Sequence, residues 1–221
     1  MYDECSRYCD IVIGYVPSNQ SFISCFVSSF MKIYVVDNGG QWTHREWRVL
    51  RDLEVETKIV PNTTPFDELR DVDALILSGG SPSVALEADA MGNNGIYLDE
   101  AEFPIFGICA GMQFLSEHFG GQLGPADEPE FSSVELHIDD HEGLFRNIPD
   151  DITVWASHND EVKVPPKGFK VTASSPSCKV EAVRCLDRPI YGVQFHPEVE
   201  HTQYGEEMFR NFIEIVKEFW Q

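Results

Sequence analysis

Three short segments carry side chains suited to nucleophilic catalysis. Gly107-Ile108-Cys109-Ala110-Gly111 has the form G-x-C-x-G between an apolar run and a helix-compatible stretch, the thiol counterpart of a nucleophile elbow. Glycine on each side lets the backbone crowd a sharp turn that would expose the sulfur, and the start of a following helix puts partial positive charge beside it. A buried cysteine whose glycines serve only packing gives the same five residues, so the elbow alone leaves the role of Cys109 open. Downstream, Phe195-His196-Pro197-Glu198 follows the apolar run Ile190-Tyr191-Gly192-Val193-Gln194. In extended chain residues i and i+2 face the same side, and Pro197 biases His196 away from helix, so the Glu198 carboxylate can hold the imidazole and stabilise its charged form. A His beside a Pro is otherwise commonly structural; its pairing with a strand-end cysteine gives it weight. The third segment, Leu77-Ser78-Gly79-Gly80-Ser81-Pro82, is a glycine turn after another apolar run. The amides of Gly80 and Ala110 could bind the oxyanion of a tetrahedral intermediate, a stabilisation of ~3 kcal/mol per donor.

Such segments need a scaffold that brings strand ends together. Ile33 to Val36 is β-rich and ends at Asp37-Asn38-Gly39-Gly40, after which Trp42, Val49, Leu50 and Leu53 recur at helical spacing. Thr57 to Val60, Ala74 to Leu77 and Pro104 to Ile108 read as further short core strands; 43–53, 110–119 and the C-terminal stretch with Met208, Phe209, Phe212, Ile213 and Val216 read as helices. Apolar runs alternating with helices predict an α/β fold, a mostly parallel central sheet flanked by helices. Between Gln122 and Phe195 the pattern changes to Ser133 to Ile138, Ile152 to Trp155, Lys170 to Ala173, Val180 to Cys185 and Ile190 to Phe195, which predicts a small antiparallel portion. Residues 31–221 thus read as one domain, and 1–30 as an N-terminal extension with Met31 as a candidate start. Ligand chemistry belongs at the carboxyl ends of the parallel strands.

Composition excludes some function classes. With 16 Lys and Arg against 37 Asp and Glu, the formal charge of the 221 residues is -21, which disfavours nucleic acid and anionic membranes as partners. A solvated surface or adaptation to a salty cytoplasm would both account for it. Six cysteines, at 5, 9, 25, 109, 178 and 185, form no C-x-x-C pair and fit reduced thiols in a cytoplasm. The apolar pieces of residues 1–30 are broken by Pro17 to Gln20, too short to span a membrane, and Asp3 and Glu4 argue against a secretory signal. His137-Ile138-Asp139-Asp140-His141 offers ligand types, but an acidic loop is ordinary on so acidic a chain, and no metal is expected there. Cys178 and Cys185 lack an adjacent base and read as core or loop thiols.

In their order, the Gly-Gly turn, the G-x-C-x-G-x-Q elbow and the final H-P-E resemble the class I, triad-type glutamine amidotransferases over Met31 to Gln221. The resemblance implies Cys109 as nucleophile, His196 and Glu198 as the rest of a triad, Gly80 and Ala110 as an oxyanion hole, and Gln113 as a residue helping to hold substrate glutamine. Asp37-Asn38-Gly39-Gly40-Gln41 and Trp155-Ala156-Ser157-His158-Asn159-Asp160 look like the GMP synthetase branch, with its D-x-G-x-Q and S-H-x-D patterns; Asn159 stands where Gly is frequent. That branch implies a heterodimer in which a separate ATP-pyrophosphatase subunit carries ATP and Mg and converts XMP to GMP. No cofactor is then expected on this chain, which lacks a P-loop lysine motif. His158 and Asp160 become candidate partner contacts at the rim of the site, or braces of its loop. The alternatives are the same glutaminase chemistry serving another acceptor, as in anthranilate or aminodeoxychorismate synthases, an autonomous γ-glutamyl hydrolase, or a catalytically silent regulatory homologue.

Overall fold

A computed structural model describes residues 31–81 and 83–221; the expected extension 1–30, with Cys5, Cys9 and Cys25, lies outside them. In chain order the elements are β1 (Ile33–Asn38), α1 (Thr43–Asp52), β2 (Ile59–Pro61), β3 (Ala74–Gly80), α2 (Val84–Glu87), α3 (Asn94–Glu100), β4 (Ile105–Ile108) and α4 (Ala110–His118). There follow β5 (Gln122–Glu130), β6 (Ser133–Ile138), β7 (Asp151–Trp155), β8 (His158–Val164), β9 (Phe169–Ser174), β10 (Ala182–Cys185), β11 (Ile190–Val193) and α5 (Gly205–Phe219). The main sheet runs β2-β1-β3-β4-β11-β10-β9-β6-β7. Its first five strands are parallel, and from β11 onward each pairing is antiparallel. A separate ribbon pairs β5 with β8.

The alternation of apolar side chains along the parallel strands builds two cores. Ile33, Val35, Ile76, Phe106 and Ile108 face one side, where α5 lays Met208, Phe209, Phe212 and Val216 against them. Val36, Leu75, Leu77 and Ile105 face the other, covered by Met112 and Leu115 of α4 and by Tyr97 and Leu98 of α3. The α5 side is anchored by aromatic packing, Phe212 lying 5.4 Å from Phe106 between ring centroids; burying each such ring contributes ~1.5–3 kcal/mol. Glu206 and Glu207 in the first turn of α5 and Lys217 in its last complement the helix dipole.

The strand order places the site. β3, β4 and β11 are neighbours in register, with Leu77 opposite Gly107 and Val193 opposite Ile108. Their carboxyl ends therefore deliver Gly79-Gly80, Cys109 and Gln194 to His196 to one edge of the sheet, as the parallel reading requires. The ribbon β5–β8 and the helices α2 and α3 lie beyond what the sequence pattern indicates. Pro125 and Pro129 within β5 argue against a strand interior, and such residues are tolerated because the ribbon is all edge.

Candidate active site

Cys109 sits between the end of β4 and the first residue of α4, with φ 50° and ψ -109°. This is a strained conformation for a residue bearing a Cβ, held by packing on both sides. The elbow glycines are required sterically. A Cβ on Gly107 would stand 2.8 Å from the backbone carbon of Gly111, and one on Gly111 only 2.1 Å from the Leu77 carbonyl oxygen. Helix α4 can therefore approach β3 and β4 closely enough to aim its N-terminus at the turn. The Ala110 amide lies in that first turn, where helical N–H groups lack partners within the helix.

His196 and Glu198 meet as the i, i+2 spacing suggests: Nδ1 of His196 is 2.7 Å from Glu198 Oε1, and the two side chains are 6% and 0% exposed. The His196 backbone is fixed from both sides. Its N–H donates to the Trp155 carbonyl, and its carbonyl accepts from Thr202 Oγ1 at 2.7 Å. Trp42 stacks edge-on against the imidazole, centroids 4.3 Å apart. With Nδ1 on Glu198, the other ring nitrogen is left for Cys109, whose sulfur interacts electrostatically with the imidazole. Burial pushes the imidazolium toward losing its proton, but the Glu198 carboxylate and the Cys109 sulfur outweigh burial and raise its pKa from 6.5 to about 10.

The glycine turn closes the other wall. A Cβ on Gly79 would reach within 3.2 Å of His196 Cε1 and 3.7 Å of Cys109 Cβ, so the turn runs against the cysteine and imidazole. A pocket of about 530 Å³ opens here, lined among others by Gly40, Gly80, Cys109, Ala110, Gln113 and His196, a size suited to a small ligand. Gln113 is buried, and its Nε2 donates to the Asp160 carbonyl at 2.7 Å and to Gln194 Oε1 at 3.1 Å. Its amide nitrogen thus braces the wall.

His158 departs from the reading of it as a partner contact at the rim. Its side chain is 2% exposed, with Nε2 on Glu130 Oε2 at 2.7 Å and Nδ1 on the Asp160 carbonyl at 3.1 Å; pairing of β5 with β8 pulls it inward, so it braces the loop. Asp160 stays half-buried at the pocket and accepts from Ser83 Oγ at 2.6 Å. The ligand types of 137–141 are taken up mainly by partners outside the segment, His137 with Asp151, His141 with Asp150, and Asp140 with Lys170 and Arg184, with His137 also 3.9 Å from Asp139. Cys178 is buried, and desolvation followed by the charge of Glu181 drives its thiol pKa up.

Two further side chains belong to the site without carrying a motif. Gln194 is fully buried and donates to Cys109 Sγ at 3.7 Å; the same-face argument that links His196 to Glu198 extends back to it. Glu46 of α1 is 1% exposed, accepts a 3.4 Å bond from the Gly79 amide, and lines the pocket. Burial first, then the charge of Glu198, raises its pKa well above the carboxylate range. Its signal in the sequence is a carboxylate four residues from both Trp42 and Leu50, inside the apolar stripe of α1.

Similarity to known proteins extends over nearly the same residues. A Thermoplasma acidophilum protein named as a glutamine-hydrolyzing GMP synthase subunit is 53% identical over 185 residues, 84% of this chain and 92% of its own. The Archaeoglobus fulgidus protein of the same name is 52% identical, covering 85% of this chain and 100% of its own. A crystal structure described as that of a putative GMP synthase subunit from Thermoplasma acidophilum superposes with a TM-score of 0.83 at 52% identity, over 86% of this chain and 96% of that one. A Thermotoga maritima glutamine amidotransferase structure, at 17% identity and TM-score 0.66 over 86% and 83% of the chains, shares the fold. Residues 34–216 match the family described as glutamine amidotransferase class-I, and with relatives this similar the chain belongs to that family.

Proposed function

We propose that this chain is the glutamine-hydrolysing subunit of a GMP synthetase. The observation that carries the chemistry is the buried His196–Glu198 pair set against a cysteine on a strained strand-to-helix turn; the acceptor is supported by the identity to archaeal relatives named as glutamine-hydrolyzing GMP synthase subunits. The Cys109 sulfur attacks the side-chain carboxamide of glutamine, and the Gly80 and Ala110 amides receive the oxyanion. His196 protonates the departing ammonia, leaving a γ-glutamyl thioester. Held by Glu198, it then takes a proton from water, whose attack on the thioester releases glutamate and restores the thiol. Gln113 and Gln194 keep the pocket wall and the sulfur in register.

Ammonia passes to a separate ATP-pyrophosphatase subunit, which holds ATP and Mg and converts XMP to GMP; this chain needs no cofactor of its own. Because idle hydrolysis wastes glutamine, the isolated chain is slow and the partner accelerates it, docking at the pocket rim near Asp160. The test is copurification with the synthetase subunit, followed by an assay of GMP formed from XMP, ATP and glutamine. Glutamine-dependent GMP formation that disappears in Cys109→Ala is the expected result. Full-rate hydrolysis of γ-glutamyl peptides by this chain alone, unmoved by the synthetase, would instead identify an autonomous hydrolase.

A further inference from the structure

A second set of reactive side chains converges inside the protein, behind the pocket wall. Glu130 at the end of β5, His158 at the start of β8 and Glu181 just before β10 each offer one ligand atom, all within 4.8 Å of one another. Glu181 is fully buried, and neither of its carboxyl oxygens meets a donor in good hydrogen-bond geometry, although Ser175 and Glu130 are among its polar neighbours. A buried carboxyl with both oxygens unbonded is costly unless something else neutralises it. Neighbouring Glu161 has Oε1 accepting from Lys163 at 2.7 Å, while its Oε2 is buried without a hydrogen-bond partner.

Proton positions make the arrangement more specific. The Asp160 carbonyl can only accept, so the proton of neutral His158 resides on Nδ1, 3.1 Å away. That turns the bare lone pair of Nε2 toward Glu130 Oε2 at 2.7 Å. Two lone pairs at that distance require a cation between or beside them. A proton on Nε2 would balance Glu130, and burial beside Glu130 favours the protonated form of Glu181; one divalent ion in place of those two protons would answer both carboxylates with the imidazole neutral. The surroundings also match what metal sites use, a ligating imidazole tied through its other nitrogen to a backbone carbonyl and a carboxylate held by further donors. Here the donors are Ser175 and Ser177, whose hydroxyls both bond Glu130 Oε1.

We infer that Glu130, His158 and Glu181 form a structural site for one divalent transition-metal ion. One nitrogen and two carboxylate oxygens suit Zn²⁺, whose tetrahedral bonds of ~2.0–2.2 Å set ligand atoms ~3.3–3.6 Å apart, so the His158–Glu130 pair opens from 2.7 Å by about 0.6–0.9 Å to admit the ion. The site is closed to solvent, so its role is to hold chain. His158 starts the segment in which the Asp160 carbonyl receives Gln113 and the Ser157 carbonyl lies 3.9 Å from Cys109 Sγ. The ion therefore pins the pocket wall to the antiparallel half of the sheet. Metal binding itself does not depend on which reaction the pocket catalyses.

The test uses the full chain carrying Cys109→Ser, which removes the pocket thiol as a competing ligand. The protein is unfolded with chelator, refolded with ZnCl₂ or CoCl₂, passed over chelating resin, and measured for bound metal and thermal midpoint. One ion per chain and a midpoint at least about 5 °C above the metal-free protein are expected, with both lost when Glu181→Gln is added. Retention of no ion would overturn the inference. So would equal retention with Glu181→Gln, or a cobalt spectrum dominated by sulfur charge-transfer bands, either of which would place the metal on other residues. If Glu181→Gln does not fold, Glu130→Gln supplies the same comparison, and the cobalt spectrum still decides whether an imidazole–carboxylate set binds.

Discussion

Two imidazole–carboxylate pairs of the same length are buried among the described residues, and they differ in what lies beyond the ring. His196 and Glu198 come from one extended segment and leave the second ring nitrogen to a cysteine at an open pocket. His158 and Glu130 come from two strands of a ribbon, and the second nitrogen of His158 is spent on a peptide carbonyl. The first pair can move a proton to a substrate; the second can only hold structure. Identical contact geometry thus supports different roles, decided by whether the free nitrogen meets a nucleophile or the backbone.

Removing the nucleophile tests that division most severely. Cys109→Ala should lower glutaminase turnover by at least ~10⁴-fold, while far-ultraviolet circular dichroism and the thermal midpoint remain close to those of the parent. A rate within tenfold of the parent would deprive the His196 pair of its special role. On the other side of the comparison, His158→Ala leaves Glu130 buried without its partner and should cost ~3–5 kcal/mol in urea unfolding; a loss below ~1 kcal/mol would mean the second pair is not structural.

Glu198→Gln keeps the shape of the first pair but removes its charge, and should lower kcat ~10²-fold. It also tests a pH window. His196 titrates at about 10 in the native protein against 6.5 as its reference. The folded state therefore holds a proton that the unfolded chain gives up between these values. The stabilisation is full below pH 6.5 and is lost as pH rises toward 10. Urea unfolding at pH 6, 8 and 10 should show the margin of parent over Glu198→Gln shrinking with pH; a constant margin would rule out the charge coupling. The smallest effect expected is at Glu46. Glu46→Gln retains an acceptor for the Gly79 amide and should alter kcat less than about threefold, whereas Glu46→Ala should lower it ~10-fold with little change in KM. Equal behaviour of the two variants would remove the hydrogen bond to Gly79 as the reason.

Local sequence was sufficient wherever chemistry depends on neighbours along the chain. The strained turn at Cys109 is written in Gly107 and Gly111, and the His196–Glu198 pair in their two-residue spacing. The parallel half of the sheet was legible because strands buried on both faces, such as Ala74 to Leu77, read as unbroken apolar runs. The four antiparallel strands β6, β7, β9 and β10 were legible within a residue or two, since alternation survives in them. The β5–β8 ribbon was not, because its prolines and charges follow the demands of an edge and carry no hydrophobic period.

Only the tertiary structure decided which distant polar residues share a site. Glu46 reaches the Gly79 amide because α1 packs against the end of β3, and Gln194 reaches the sulfur because β11 lies beside β4. Glu130, His158 and Glu181 are brought together by strands that belong to two different sheets. Sequence spacing specifies direction along one strand or helix, whereas contacts between elements depend on strand order and register, which the hydrophobic pattern constrains but does not write out.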